Sequence, residues 1–256
     1  TAQTIASTNV TQANTGLGNI SITYQNANVL SLTAGSLDAS TVPGSFSLTS
    51  TTGNIAQGGA LTTTGNASFT TSAADATITL NSANDIGGTV SLNTNGAAGH
   101  AALTEVNGIN FGNTTVGGNL AATSNAAITD TGALAVTGTS SFATTAGNAA
   151  ITLDTATNAL TGPVTFAANG TGNVTLVNNT ATQLAASTFG GTLGVTSTGA
   201  ITDTGVLAVT GTASFTTTAG NAAITLDDAS SYGGAVSLVT NGTGNVTLVN
   251  NTATQL

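Results

Sequence analysis

The chain has 256 residues, no Lys, no Arg, nine acids and one His, for a formal net charge of −9. With no cationic side chain it cannot neutralise phosphates, which excludes nucleic-acid binding and attraction to anionic lipid. With no Cys it has neither a disulfide framework nor a thiolate metal site. Charged residues make up 4% of the chain, where about a quarter is usual. No apolar run approaches the length that spans a bilayer, and the N-terminus lacks the charged and apolar regions of a signal peptide, so the chain reads as a mature or excised stretch. Hydrophobic residues still reach 39%, and they alternate with small polar ones, which argues against disorder.

In chain order, residues 1–44 read as diverged N-terminal coils. Residues 45–117 form a first long repeat, in which Ile55, Phe69 and Ile78 keep the register of later copies. Residues 118–190 form the second copy: 127–132 read AITDTG and 146–154 read AGNAAITLD. Both segments recur unchanged at 200–205 and 219–227, inside an incomplete third copy, 191–256. Phe69, Phe142 and Phe215 follow the same spacing. Residues 169–184, NGTGNVTLVNNTATQL, recur at 241–256 with an offset of 72, so one residue is lost between Asp227 and Val236.

Within each copy the apolar residues have period 2, as in Ile78-Thr79-Leu80, Ile151-Thr152-Leu153, Val174-Thr175-Leu176 and Leu207-Ala208-Val209. That is the strand pattern, and Thr and Gly are poor helix formers. Coils starting near Thr192, Thr212 and Ala235 have lengths of about 20, 23 and 30 residues, which make up the 73-residue period. Each places two strand runs around a turn, at Ser197-Thr198-Gly199, Ala219-Gly220-Asn221 and Asn241-Gly242-Thr243. Stacked strand–turn–strand units of this size predict a parallel β-helix (β-solenoid) with a 73-residue three-coil super-repeat. Ten or eleven rungs at ~4.8 Å give a rod about 50 Å long, with Val, Ile, Leu, Ala and Phe inward and Thr outward. Phe69, Phe142 and Phe215 are then expected at equivalent positions, three rungs apart.

Residues 190–215 with 220–227, and 117–142 with 147–154, share a pattern: Gly-Gly, alternating apolar residues, Gly or Ala before Ala-Ile-Thr-Asp-Thr-Gly, Leu-Ala-Val-Thr-Gly-Thr, a Phe, then Gly-Asn-Ala-Ala-Ile-Thr-Leu-Asp. The pattern resembles the repeats of giant filamentous-haemagglutinin-type bacterial surface proteins. The resemblance implies a right-handed β-helix, a type V secretion route, and residence on or around a bacterial cell.

Candidate chemistry is sparse. The nine acids are Asp38, Asp75, Asp85, Glu105, Asp130, Asp154, Asp203, Asp227 and Asp228. A glycosidase needs two carboxyls roughly 5–9 Å apart. Asp130 and Asp203, three rungs apart on this reading, lie too far from each other, and the adjacent Asp227 and Asp228 point to opposite faces. The acids therefore read as turn and surface residues supplying solubility. Asp85 before Gly87-Gly88, and Asp227-Asp228, are the places where calcium would bind weakly, but the nonapeptide calcium repeat is absent. His100 is alone and reads as a surface residue. No GxSxG elbow or Walker lysine is present. Asn-x-Ser/Thr triplets begin at Asn9, Asn19, Asn66, Asn113, Asn169, Asn173, Asn178, Asn241, Asn245 and Asn250; they read as Asn ladders along the turns in preference to glycan acceptors. Thr-x-Thr triplets follow the long period and not every coil, which disfavours an ice-binding face.

The expectation is an all-β, right-handed parallel β-helix acting as a structural, non-enzymatic fibre or adhesin segment at a bacterial surface. No catalytic, cofactor or metal residue is assigned. Neighbouring repeats or subunits end to end are the expected partners, because nothing in the terminal sequence closes the stack; surface glycans or other cells are further candidates. The alternative is a polysaccharide-binding or polysaccharide-cleaving β-helix.

Overall fold

A computed structural model describes residues 3–4, 20–24, 30–32, 40–42 and 44–253. All regular structure among them is β, in two 15-stranded sheets. Every pairing among them is parallel, between strands about one turn apart in sequence. The result is a β-solenoid of about 10 turns with a spacing of about 21 residues per turn. At ~4.8 Å per rung the stack is about 50 Å long, as the sequence predicts.

Pairing in register follows from the composition of each strand. Along the first sheet, Ile109, Ile128, Ile151, Val174, Leu193, Ala213 and Val236 stack one upon the next. All are buried, and the residues between them face outward. A one-residue slip would turn every one of these side chains to solvent, so burial holds the register. Inside, Phe142 packs between Phe111 and Phe166 at 6.2 and 5.8 Å, and Phe166 reaches Phe189 at 6.3 Å, giving an aromatic column through the middle of the rod.

The three-coil super-repeat is corrected by the strand assignments. At about 21 residues per turn, one 73-residue copy makes three and a half turns, or seven sides of the solenoid. Successive copies therefore land on opposite sheets. Phe69 and Phe215 lie in strands Ala67–Ala74 and Ala213–Gly220 of the first sheet; Phe142 lies in Ser140–Thr144 of the second. All three are buried, as expected, but they do not share a face. The longest of the three expected coils is a turn and a half. Strands Val164–Ala168 and Val174–Asn178 follow each other across a short bend on opposite sheets, and Thr182–Leu184 then returns to the second sheet. A strand–turn–strand pattern alone does not reveal how far around the axis the chain has travelled.

Two kinds of side alternate. One is a single strand of five or more residues, such as Leu193–Ser197. The other is a pair of short strands split by a bend, such as Ile128–Asp130 with Leu134–Val136, or Ile201–Asp203 with Leu207–Val209. The split sides lie on the first sheet for the middle rungs and on the second for the later ones, because each copy has an odd number of sides.

Candidate functional site

The corners carry the polar groups. Asp75, Asn148 and Asn221, equivalent in the three copies, have φ of 62°, 63° and 63°. This left-handed region is open to Asn and Asp at little cost, and the residue turns the chain from one sheet to the other. Each Oδ1 then accepts a backbone N–H of the next rung: Ala98 at 2.9 Å, Thr171 at 2.8 Å and Thr243 at 2.8 Å. Gly96, Gly170 and Gly242 sit directly above, also at positive φ, where a Cβ would lie within about 2.6 Å of the same Oδ1. Asn66, Asn113, Asn119 and Asn173 serve other corners in the same way, accepting N–H groups of Thr89, Ala133, Thr139 and Thr192. Of the sequon residues read as a ladder, Asn66, Asn113 and Asn173 do tie rung to rung, but through amide oxygens accepting backbone N–H groups and not through stacked amides. His100 takes one step of it: its Nδ1 accepts the Asn119 N–H at 2.9 Å, and the ring is exposed.

A second polar column runs inside the split sides. Asn84, Asn158 and Ser230 accept the N–H groups of Leu61, Leu134 and Leu207, which hold the same position in successive copies. Beside them stand Gln57, Asp130 and Asp203 at the same spacing. Gln57 bonds Asn84, and the Asn158 amide donates to Asp130 Oδ2 at 2.5 Å. In the third copy the partner is Ser230, too short to do both, and Asp203 Oδ2 has no hydrogen-bond partner. Burial raises the Asp203 pKa, opposed by the N–H groups of Asp227 and Asp228.

Glu105 departs furthest from the sequence reading. Its position is held by Asn178 in the following copy. Asn178 Oδ1 accepts the Leu160 N–H at 2.9 Å while its Nδ2 donates to Leu160 O, Ala181 O and Thr182 Oγ1. Glu105 Oε2 accepts the corresponding Ile86 N–H at 3.1 Å, but Oε1 has no partner and the residue is 2% exposed. Burial pushes its pKa up to about 8; the Ile86 N–H works against this and the Asp85 charge adds to it. The carboxyl is therefore a neutral acid at pH 7, standing where the repeat uses an amide.

The expectation that the acids are turn and surface residues holds for the exposed Asp75, Asp154 and Asp227. It fails for Glu105, Asp130 and Asp203, which are buried because their sides of the solenoid close over them. Asp85 and Asp228 are half-buried, and Asp38 lies outside the described residues. Asp130 and Asp203 sit on opposite sheets, three and a half rungs apart and not three, so they form no dyad. Among the described residues no group of three or more His, Asp or Glu side chains converges as a metal site would require, at Asp85 and Asp227-Asp228 included. Outward Thr columns run Thr129–Thr152–Thr175 on one sheet and Thr202–Thr225–Thr247 on the other, the first ending at Gly194. Asn178, one of the sequon residues, is buried.

Shallow clefts mark the surface of the described residues, and two of them lie at opposite corners. One, of about 490 Å³, crosses adjacent rungs and is lined by Asn66, Thr89, Asn107, Asn110 and Thr129 over a glycine floor. The other, of about 350 Å³, lies at the opposite corner beside His100, Thr79 and Asn119. No carboxylate lines either cleft.

A repeat family described as "Repeats of unknown function" (DUF5649) matches residues 18–93, 98–167 and 171–239. No curated protein and no solved structure matches the chain. The three matches cover most of the sequence and recur at close to the long period, and the chain belongs to this DUF5649 repeat family.

Proposed function

We propose that the chain is a segment of a stiff extracellular fibre or adhesin on or around a bacterial cell, acting without catalysis. One observation carries this reading: the long repeat is commensurate with the solenoid. A 73-residue copy spans seven sides, and the two sheets are interchangeable in what they bury, so each added copy continues the rod without a break. Length is then set by copy number alone, because each rung is held by its nearest neighbours. The resemblance to filamentous-haemagglutinin-type repeats supports the bacterial surface as its location.

Small-angle scattering on this chain, and on a version with residues 140–212 duplicated in tandem, tests the reading. The duplication should lengthen the particle by about 17 Å at constant cross-section, as three and a half rungs require. A particle that grows in width instead would sink the rod.

A second reading is saccharide binding, favoured by the cleft over Asn66, Asn107 and Asn110. Its amides and hydroxyls suit a neutral sugar, and with no carboxylate in its lining it would bind without cleaving. Calorimetric titration with neutral oligosaccharides should show binding that an Asn110→Ala change weakens; heats unaffected by that change would remove this reading.

A further inference from the structure

The cleft over Asn66, Asn107 and Asn110 is a step in the stack, where a split side begins above an unsplit one. Strand Ile109–Phe111 is paired along its whole length with the rung above, as Ile109↔Ile128, Asn110↔Thr129 and Phe111↔Asp130. Below, only Phe111 has a partner in that register, Val90, the first residue of strand Val90–Asn95. Gly88 and Thr89, which would continue it, bond downward instead: Gly88 N–H to Gly65 O at 3.1 Å, and Thr89 O from the Ala67 N–H at 2.8 Å. No strand therefore runs beneath Ile109 and Asn110, and the cleft of about 490 Å³ takes that place. The step recurs one copy later on the other sheet, where only Leu184 of Thr182–Leu184 pairs with Val164. There Thr139 and Gln183 stand at the positions of Asn66 and Asn110, so the Asn pair is particular to the first step.

The groups facing this step are mostly donors. Successive peptide groups of a strand face opposite sides. Ile109 sends its N–H up, to Ala127 O at 3.0 Å, and Gly112 sends its N–H down, to Val90 O at 2.8 Å. Asn110 N–H therefore points down into the cleft, and no acceptor among the described residues takes it. The side-chain oxygens are already engaged. Asn66 Oδ1 accepts the Thr89 N–H at 2.9 Å, and Asn110 Oδ1 accepts the Thr131 O–H at 3.1 Å. Thr129 donates its hydroxyl to Ile109 O at 3.2 Å. What remains is N–H: the Nδ2 groups of Asn66 and Asn110 and the Asn110 backbone. Asn107 turns its Nδ2 to Asp85, which leaves its Oδ1 as an acceptor.

We propose that this step is a binding site for an N-acetylated amino sugar. The proposal rests on the saccharide reading of the cleft and names the sugar class. A plain hexose brings hydroxyls, each of which needs an acceptor as well as a donor to be fully matched. An acetamido group brings a carbonyl, which accepts from the Asn110 N–H as a strand beneath it would. Asn107 Oδ1 offers an acceptor for its N–H, and Ala126 and Ala127 in the lining give its methyl apolar contact. A carboxylate ligand is disfavoured by Asp85 beside Asn107 and by the net charge of −9.

Amide NMR of the whole chain tests this, with N,N′-diacetylchitobiose and cellobiose as probes. The two sugars share rings and linkage and differ in carrying acetamido or hydroxyl groups. The diacetyl sugar should shift the Asn110 N–H, leave Val195 further along the rod unmoved, and bind about tenfold more tightly than cellobiose, the worth of roughly one hydrogen bond. Asn110→Asp keeps the acceptor for Thr131 and removes the side-chain donors. It should weaken binding by a similar factor, with the remaining amide peaks in place to show that the fold is retained. Equal affinity for cellobiose overturns the acetamido assignment and leaves the saccharide reading standing. Binding that leaves the Asn110 N–H unmoved, or that Asn110→Asp does not weaken, overturns the site. Binding of neither sugar removes both readings.

Discussion

Glu105 shows how a single residue departs from the repeat around it. Asn178 supplies both an acceptor and donors at its buried corner; a carboxylate at that corner supplies only acceptors. Burial favours the protonated form and raises the pKa from 4.5 to about 8, while Oε1 stays without a partner. The direction of the pH effect follows. An acid with a raised folded-state pKa keeps its proton while the unfolded chain has lost it, so stability falls as pH rises between about 4.5 and 8 and levels off above. The slope from this group is at most ~1.4 kcal/mol per pH unit. Asp203, also raised, adds a loss of the same sign above the ordinary Asp range. Urea unfolding of wild type and Glu105→Gln at pH 6, 7 and 8 should show a steeper decline in the wild type. Equal slopes would mean that Glu105 is already ionised in the folded chain. Comparing successive copies aligns Glu105 with Asn178 and so marks the position in the sequence, but its burial becomes visible only when the corner closes.

At the scale of the strand, alternation decides everything. An inward residue touches the rungs above and below, and an outward one touches mostly water. Phe142 lies between two rings, at 6.2 and 5.8 Å, and is fully buried; Thr175 is exposed on its strand. Phe142→Ala should therefore cost about 3–5 kcal/mol, by loss of transfer energy and a cavity that flanking strands cannot collapse. Thr175→Ala should stay within about 0.5 kcal/mol. Chemical denaturation of the two variants checks both, and comparable losses would contradict the inward–outward assignment. The strand runs and turns were legible from sequence, since period-2 patterns and Asn-Gly signals are local. Asn221 and Gly242, read as turn residues, adopt the positive φ that such turns need. Sequence did not reveal which bends carry the chain halfway round and which merely split a side. The corner at residues 169–173 joins opposite sheets, whereas Asp203 and Leu207 flank a bend within one sheet.

For the whole molecule, the repeat operation is a screw that leaves successive copies half a turn out of phase, with about 17 Å of rise per copy. Any feature repeated once per copy, such as the left-handed corner at Asp75, Asn148 and Asn221, alternates between opposite sides of the rod. A fibre built this way presents the same features on both sides. Stability accumulates rung by rung, as in any solenoid, with no Lys or Arg to form ion pairs. Hydrogen-bonded corners take that role. Amide oxygens of Asn66, Asn113, Asn119, Asn148, Asn173 and Asn221 each tie one rung to the next without a charge.

The sequence by itself determined the all-β class, the parallel stacking, the number of rungs and the residues that face inward. These follow from period-2 burial and from a repeat too short to bury its own apolar face, so neighbouring copies must complete the core. Only the tertiary structure decided the angular phase of each copy, and with it the opposite placement of Phe69 and Phe142, and of Asp130 and Asp203. Phase is the sum of all the bends between two positions, and an error of half a turn at one corner moves every later residue to the other sheet. The burial of Glu105, Asp130 and Asp203 was hidden for the same reason: whether a polar residue lies inside depends on which side closes over it, and that is a property of the stack.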